Sequence, residues 1–139
     1  MKTRVTTMAG VVVAGLAATG CTPPAPLGPQ PNAQLGPRLS SPQIAAEMVG
    51  NTGIGARTAT NAPYQMYVAP DGTLASRIYD RTDSGTWRIT GDDFFCTTWR
   101  VDFDGKEVCH DVHKAGVAIE LHSPTALEQL TFVPGNHLQ

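Results

Sequence analysis

After position 50 the chain alternates apolar with polar residues and shows little helical spacing. Runs at 52–58, 63–69, 73–80, 85–90, 94–103, 106–113, 117–122 and 127–133 carry strand-favouring side chains, with turn residues between them. Short, evenly spaced runs of this kind predict an all-β domain over 42–139, not βαβ units. The expected fold is an antiparallel meander of about eight short strands that closes into a barrel or sandwich, because closure protects the strand edges. One short helix precedes it. Ser41 can cap, Pro42 suits the first helical position, Ile44, Ala45, Met48 and Val49 form an apolar side, and Gly50 can end the turn. No internal repeat is evident.

Two hairpins are marked by Asp71-Gly72 and Asp104-Gly105, each fitting a type I′ turn in which both central residues take positive φ. In the second, Phe95, Thr97, Trp99, Val101 and Phe103 share one face, the core side, and Cys96, Thr98, Arg100 and Asp102 share the other. A two-residue loop at 104–105 pairs Phe103 with Lys106, Val101 with Val108, Trp99 with His110 and Thr97 with Val112. That register sends Val108 and Val112 inward, where a slip by one would send Glu107 and Asp111. His110 then lies inside opposite Trp99, and His113 lies outside opposite Cys96. The Asp83-Ser84-Gly85-Thr86 string, which matches an aspartic-protease motif, reads as a turn before the strand GTWRIT. Its preceding residues are polar and it has no second copy. Asp102-x-Asp104-Gly105 starts like a calcium loop, but the twelfth position is His113, not glutamate.

The beginning of the chain fixes the expected compartment. Lys2 and Arg4 precede an apolar run too short to span a membrane, and small residues follow, as in a secretory signal over 1–20. Ala18-Thr19-Gly20-Cys21 resembles a bacterial lipobox, which implies lipidation of Cys21, by palmitate and related acyl chains, as the mature N-terminus. Thr22 follows where an Asp would favour the inner membrane. By that resemblance the expected address is the periplasmic face of the outer membrane. Residues 22–41 hold six of the eleven prolines and read as an extended tether. At about 3.1 Å per residue it would reach about 60 Å from the lipid. Loss of Lys2 and Arg4 leaves eight basic residues against twelve acidic ones, a formal charge of −4. Without a basic cluster, nucleic-acid binding is excluded as a reading.

Three cysteines less a lipidated Cys21 leave Cys96 and Cys109, and an oxidising compartment favours their disulfide. In the register above, Cys109 faces Arg100, roughly 13–14 Å along the strand from Cys96. A disulfide needs Cα atoms within about 7 Å. The bond therefore demands a bend or bulge at Thr97-Thr98. A shared metal ion is disfavoured, because the two histidines point to opposite faces and the C-x₁₂-C-H-x₂-H spacing suits no tetrahedral zinc site. No Gly-x-Ser-x-Gly elbow, Walker loop, GxGxxG or His-Glu-x-x-His occurs. No cofactor is implied.

Taken in order, Gly50-Asn51-Thr52, Tyr64-x-x-Tyr67, Asp71-Gly72-Thr73, Gly85-x-Trp87, Cys96-x-x-Trp99 and Cys109 resemble a small secreted β-domain of proteobacterial envelopes whose function is unknown. The resemblance implies a one-domain β-fold with a disulfide and supplies no activity. Three readings of function follow. The first is a non-catalytic, lipid-anchored binding or envelope-assembly module, whose partner is an envelope protein, a polysaccharide or a hydrolase held inhibited. The second is a lipocalin-like carrier of a small ligand such as haem, with a pocket near Trp87, Trp99 and His110. The third, least supported, is an enzyme. A filled or hollow barrel interior separates the first two.

Overall fold

The computed structural model describes residues 35–138. The expected signal segment, Cys21 and most of the Pro-rich stretch lie outside the described residues. One helix, α1 (Ser41–Met48), precedes eight strands: β1 (Asn51–Arg57), β2 (Ala62–Val68), β3 (Thr73–Ile78), β4 (Arg81–Ile89), β5 (Phe94–Trp99), β6 (Glu107–Ala115), β7 (Ala118–His122) and β8 (Leu127–Pro134). Each strand pairs antiparallel with the next and β8 pairs with β1, so the sheet is a closed barrel in chain order.

Ser40, not Ser41, caps α1, and its backbone N–H donates to Gln43 Oε1 at 2.9 Å. Ile44 and Met48 lie one turn apart and have no exposed surface. They close the barrel end at which β1 begins and β4 ends. Each such burial is worth about 1.5–3 kcal/mol.

The residues before α1 are not free spacer. Leu39 N–H donates to Val112 O at 2.8 Å and Lys114 N–H to Pro37 O at 2.9 Å, with Arg38 opposite His113. Arg38 Nε also donates to Asp111 Oδ1 at 2.6 Å, and Leu39 is buried. The cause is a vacant edge. β5 begins at Phe94 opposite Asp111, so the rest of β6 lacks a partner on that side and this strap supplies one. This strap and the start of α1 thus occupy residues 37–41, which the sequence pattern assigns to a tether running through Ser41.

The inward face is apolar toward α1, with Met66, Val68, Leu74, Phe95, Val112, Ile119, Leu121 and Leu130 all 3% exposed or less. On β1 the inward positions are Gly53 and Gly55, and apolar Ile54 faces out. A Cβ on Gly55 would lie 1.9 Å from the Gln129 carbonyl oxygen, so a bare backbone is what lets β1 meet β8 and close the barrel.

The β5–β6 hairpin corrects the expected register by four residues. Cys96 stands opposite Cys109, Thr97 opposite Val108, Phe95 opposite His110 and Phe94 opposite Asp111. His113 is opposite Glu120 on β7. An even shift preserves the faces, and Phe95, Thr97 and Trp99 are buried as the alternation predicts. Cys96 and Cys109 form the disulfide, with Cα atoms 3.9 Å apart. No bulge at Thr97-Thr98 is needed, since the ladder runs unbroken through both. The irregularity lies past Trp99, where residues 100–106 form a compact turn in which Phe103, Asp104 and Gly105 all have positive φ. At the other marked turn only Gly72 has positive φ, and residues 69–72 make a longer loop than type I′. The Asp83-Ser84-Gly85-Thr86 string is no turn but part of β4, paired with β3 and β5.

Candidate functional site at the barrel mouth

The end opposite α1 carries the turns joining β1 to β2, β3 to β4, β5 to β6 and β7 to β8. There the inward positions change character. Glu128 is 3% exposed and faces Arg57 across the β1–β8 ladder. Arg57 Nη2 donates to Asp102 Oδ2 at 2.6 Å, and Nε lies 3.3 Å from Glu128 Oε1 without alignment for a hydrogen bond. The guanidinium also sits over two aromatic rings, 4.7 Å from the centre of Tyr64 and 5.8 Å from that of Phe103.

One cation thus meets two carboxylates in a largely sheltered setting, and the buried Glu128 responds most. Burial pushes the Glu128 carboxyl up to about 7, opposed by Arg57 and assisted by Asp102. Burial, with the Glu128 charge, holds the Tyr64 hydroxyl well above its ordinary range. For Arg57 burial acts downward, but the Asp102 hydrogen bond and the neighbouring negative charges outweigh it and raise its pKa. His110, 2% exposed on β6, is pushed down to about 4 by burial and by the Arg57 charge, so it is neutral at physiological pH. Among the described residues its Nδ1 and the buried Thr97 Oγ1 have no hydrogen-bond partner.

The β5–β6 turn lies across this mouth. Asp83 Oδ2 accepts the backbone N–H groups of Val101 at 3.1 Å and Asp102 at 2.9 Å, which curls the chain away from the ladder after Trp99. Burial of Asp83 acts upward on its pKa, but these donors, with those of Ser84 and Arg100, prevail and lower it. A cleft of about 260 Å³ between Ser76, Arg81, Asp83, Val101 and Asp102 flanks the turn on one side. A smaller one, about 180 Å³, lies on the other beside Arg57, Phe103 and Leu127. Val101, expected in the core, is 59% exposed at the rim, and Phe103 packs against the core from outside the ladder.

The residues singled out from sequence divide between the outer wall and the core. The Cys96–Cys109 bridge lies on the outer wall, beneath a paired Arg88 and Glu107 whose contacts are 2.8 and 2.6 Å. Cys96, Glu107 and Cys109 bring three potential metal donors together, but bonded sulfurs offer no thiolate. Trp87 points inward, stacks on Phe95 at 6.0 Å, and gives its Nε1–H to Ala69 O. Trp99 is buried and borders a cleft of about 530 Å³ on the wall, which neither Trp87 nor His110 borders. Sequence reasoning missed Arg57, Tyr64, Asp102 and Glu128. Glu128 alone left a trace, two residues before Leu130 on the same strand face.

A closed eight-stranded barrel with a polar, charge-paired mouth suits a binding module of lipocalin-like architecture. Comparison with protein-family models, curated proteins and solved structures finds no match to the chain.

Proposed function

We propose that this protein is a lipid-anchored binding or assembly module without catalytic activity, held through Cys21 at the periplasmic face of the outer membrane. The observation that carries the binding reading is the filled interior. Ile44, Met48, Tyr64, Met66, Phe95 and Leu130 occupy the barrel with 1% exposure or less, so a partner meets the barrel from outside, at the mouth. The partners that this reading admits are an envelope protein, a polysaccharide or an envelope hydrolase held inhibited. The lipobox resemblance at Cys21 supports the anchor.

The anchor is tested by labelling cells with radioactive palmitate. Label and membrane fractionation should both be lost in Cys21→Ser, and a labelled, membrane-bound variant would refute it. Binding at the mouth is tested by a photo-crosslinking residue at position 101 against one on the outer wall at position 75. A discrete product at 101 alone supports the reading, and products at 75 alone count against it. A ligand such as haem inside the barrel would require Ile44, Met48 and Leu39 to withdraw. A Soret band that saturates at one haem per chain would establish that carrier reading instead.

A further inference from the structure

The outer face of β6 and β7 gathers two histidines and a carboxylate that none of the foregoing uses. Outward residues alternate along each strand and paired residues share a face. Glu120 and His122 therefore stand side by side on β7, and His113 on β6 is directly opposite Glu120. His122 Nε2 is 3.0 Å from Glu120 Oε2, and the rings of His113 and His122 meet edge-on with centroids 5.3 Å apart. His122 and Glu120 are only 25% and 21% exposed, so the cluster is half sheltered. We propose that His113, Glu120 and His122 form a binding site for a borderline divalent cation, zinc foremost.

Three features carry this. The first is spacing. Two imidazoles on one tetrahedral zinc, at Zn–N of about 2.0–2.1 Å, place their ring centroids roughly 5 Å apart, and adjacent ligand atoms lie roughly 3.3 Å apart. The observed separations are 5.3 and 3.0 Å.

The second is the orientation of His113. Its Nδ1 is 2.8 Å from the carbonyl oxygen of Gly36, an acceptor that fixes the proton on Nδ1 and leaves the Nε2 lone pair outward. A ligating histidine is commonly held in this way by a backbone carbonyl. Gly36 can approach only because it has no side chain: a Cβ there would lie 1.6 Å from Lys114 O.

The third is donor chemistry. Two imidazoles with one carboxylate suit zinc, cobalt, nickel or copper and disfavour calcium and magnesium, which prefer oxygen. Asp111, which stands opposite His122, is held by Arg38 and stays outside the set. The three donor atoms are not all within 4.8 Å of one another as they stand. Side-chain rotation must close the set on the ion, and His122 Nε2 then gives up its hydrogen bond to Glu120 while its ring proton moves to Nδ1. Water fills the fourth position.

The test uses the full chain, solubilised in detergent and stripped with a chelator. Zinc is titrated against a chromophoric competitor, and cobalt is followed by its visible absorption. One ion per chain is expected. The double variant His113→Ala/His122→Ala should lose binding, and Glu120→Gln, which keeps shape but removes the anionic ligand, should weaken it by at least the roughly tenfold that loss of an outer-shell partner costs. His137→Ala, in the exposed tail, should bind as the parent does. Zinc should raise the melting temperature of the parent, and raise that of Glu120→Gln by less at the same concentration. Undiminished binding in the double variant, or loss of binding in His137→Ala, would overturn the proposal. If the double variant fails to fold, an unchanged affinity in Glu120→Gln is the overturning result.

Discussion

The two buried titratable groups at the mouth make opposite demands on pH, and neutralising one should reveal the other. Glu128 binds its proton more tightly in the folded chain, rising from 4.5 to about 7. Its contribution to stability is therefore complete below pH 4.5 and is lost as pH rises through 7. His110 does the reverse. Its value falls from 6.5 to about 4, so its contribution is complete above pH 6.5 and is lost as pH falls through 4. Each shift spans some 2.5 pH units, which at about 1.36 kcal/mol per unit is about 3 kcal/mol. Between pH 4.5 and 6.5 the slopes oppose each other and the parent should vary by no more than about 1 kcal/mol. The groups facing the pair are Arg57, Asp102 and Tyr64. Arg57 stays charged and Tyr64 neutral across this window, because both are raised. Urea unfolding at fixed ionic strength from pH 4 to 8.5 measures the profile. Glu128→Gln should become more stable by about 3 kcal/mol from pH 4 to 6.5 and then level off. His110→Gln should lose about as much from pH 4.5 to 7. A Glu128→Gln profile as flat as that of the parent would refute the assignment of a protonated, buried carboxyl.

Other substitutions test single links. Arg57→Met leaves Glu128 without its cation and should cost about 3–5 kcal/mol at pH 8, where the carboxylate is charged. The loss should shrink at pH 5 and be largely rescued by adding Glu128→Gln; equal loss at both pH values counts against the pairing. Cys96→Ser/Cys109→Ser opens a loop with a sequence separation of 13 and should cost about 3 kcal/mol in denaturant, with the reduced parent matching it. A two-dalton mass change on reduction of the parent checks the bond itself. Gly55→Ala should prevent closure of β1 on β8 and yield insoluble chain, whereas Gly91→Ala, which meets nothing within 4 Å, should be neutral in the same expression assay.

Most of the barrel was legible because alternation is a local property. β2, β3 and β7 write their inward faces in Tyr64, Met66, Val68, Leu74, Ile119 and Leu121, and turn residues separate them. β1 was legible only as an extended run, since its inward residues are Gly53, Gly55 and Arg57 and apolar Ile54 faces out. Register is a different matter. Alternation reports which face a residue takes, and every even shift gives the same report. The local cue of Asp104-Gly105 favoured a tight hairpin, and both residues do take the positive φ it requires. What moved the pairing by four was Asp83, eighteen residues before Val101, whose carboxylate collects the backbone donors that a longer ladder would have used.

The mouth was illegible for the same reason on a larger scale. Arg57 stands 45 residues before Asp102 and farther still from Glu128, and only closure of β8 on β1 brings Arg57 opposite Glu128. In a linear reading each is one more charge beside a turn. Their setting turns them into a buried cluster in which a glutamate holds its proton near neutrality. The cysteines show the converse. Their bond could be inferred from count and compartment when the assumed register forbade it, because a covalent constraint outranks a turn preference. Taken first, that constraint requires Cys96 opposite Cys109 and supplies the register that the turn misassigned. It also places Glu107 beside Arg88, and thereby the ion pair that shields the sulfurs. The order in which the cues are applied decides how much of such a barrel can be read: covalent links first, face alternation next, and turn type last.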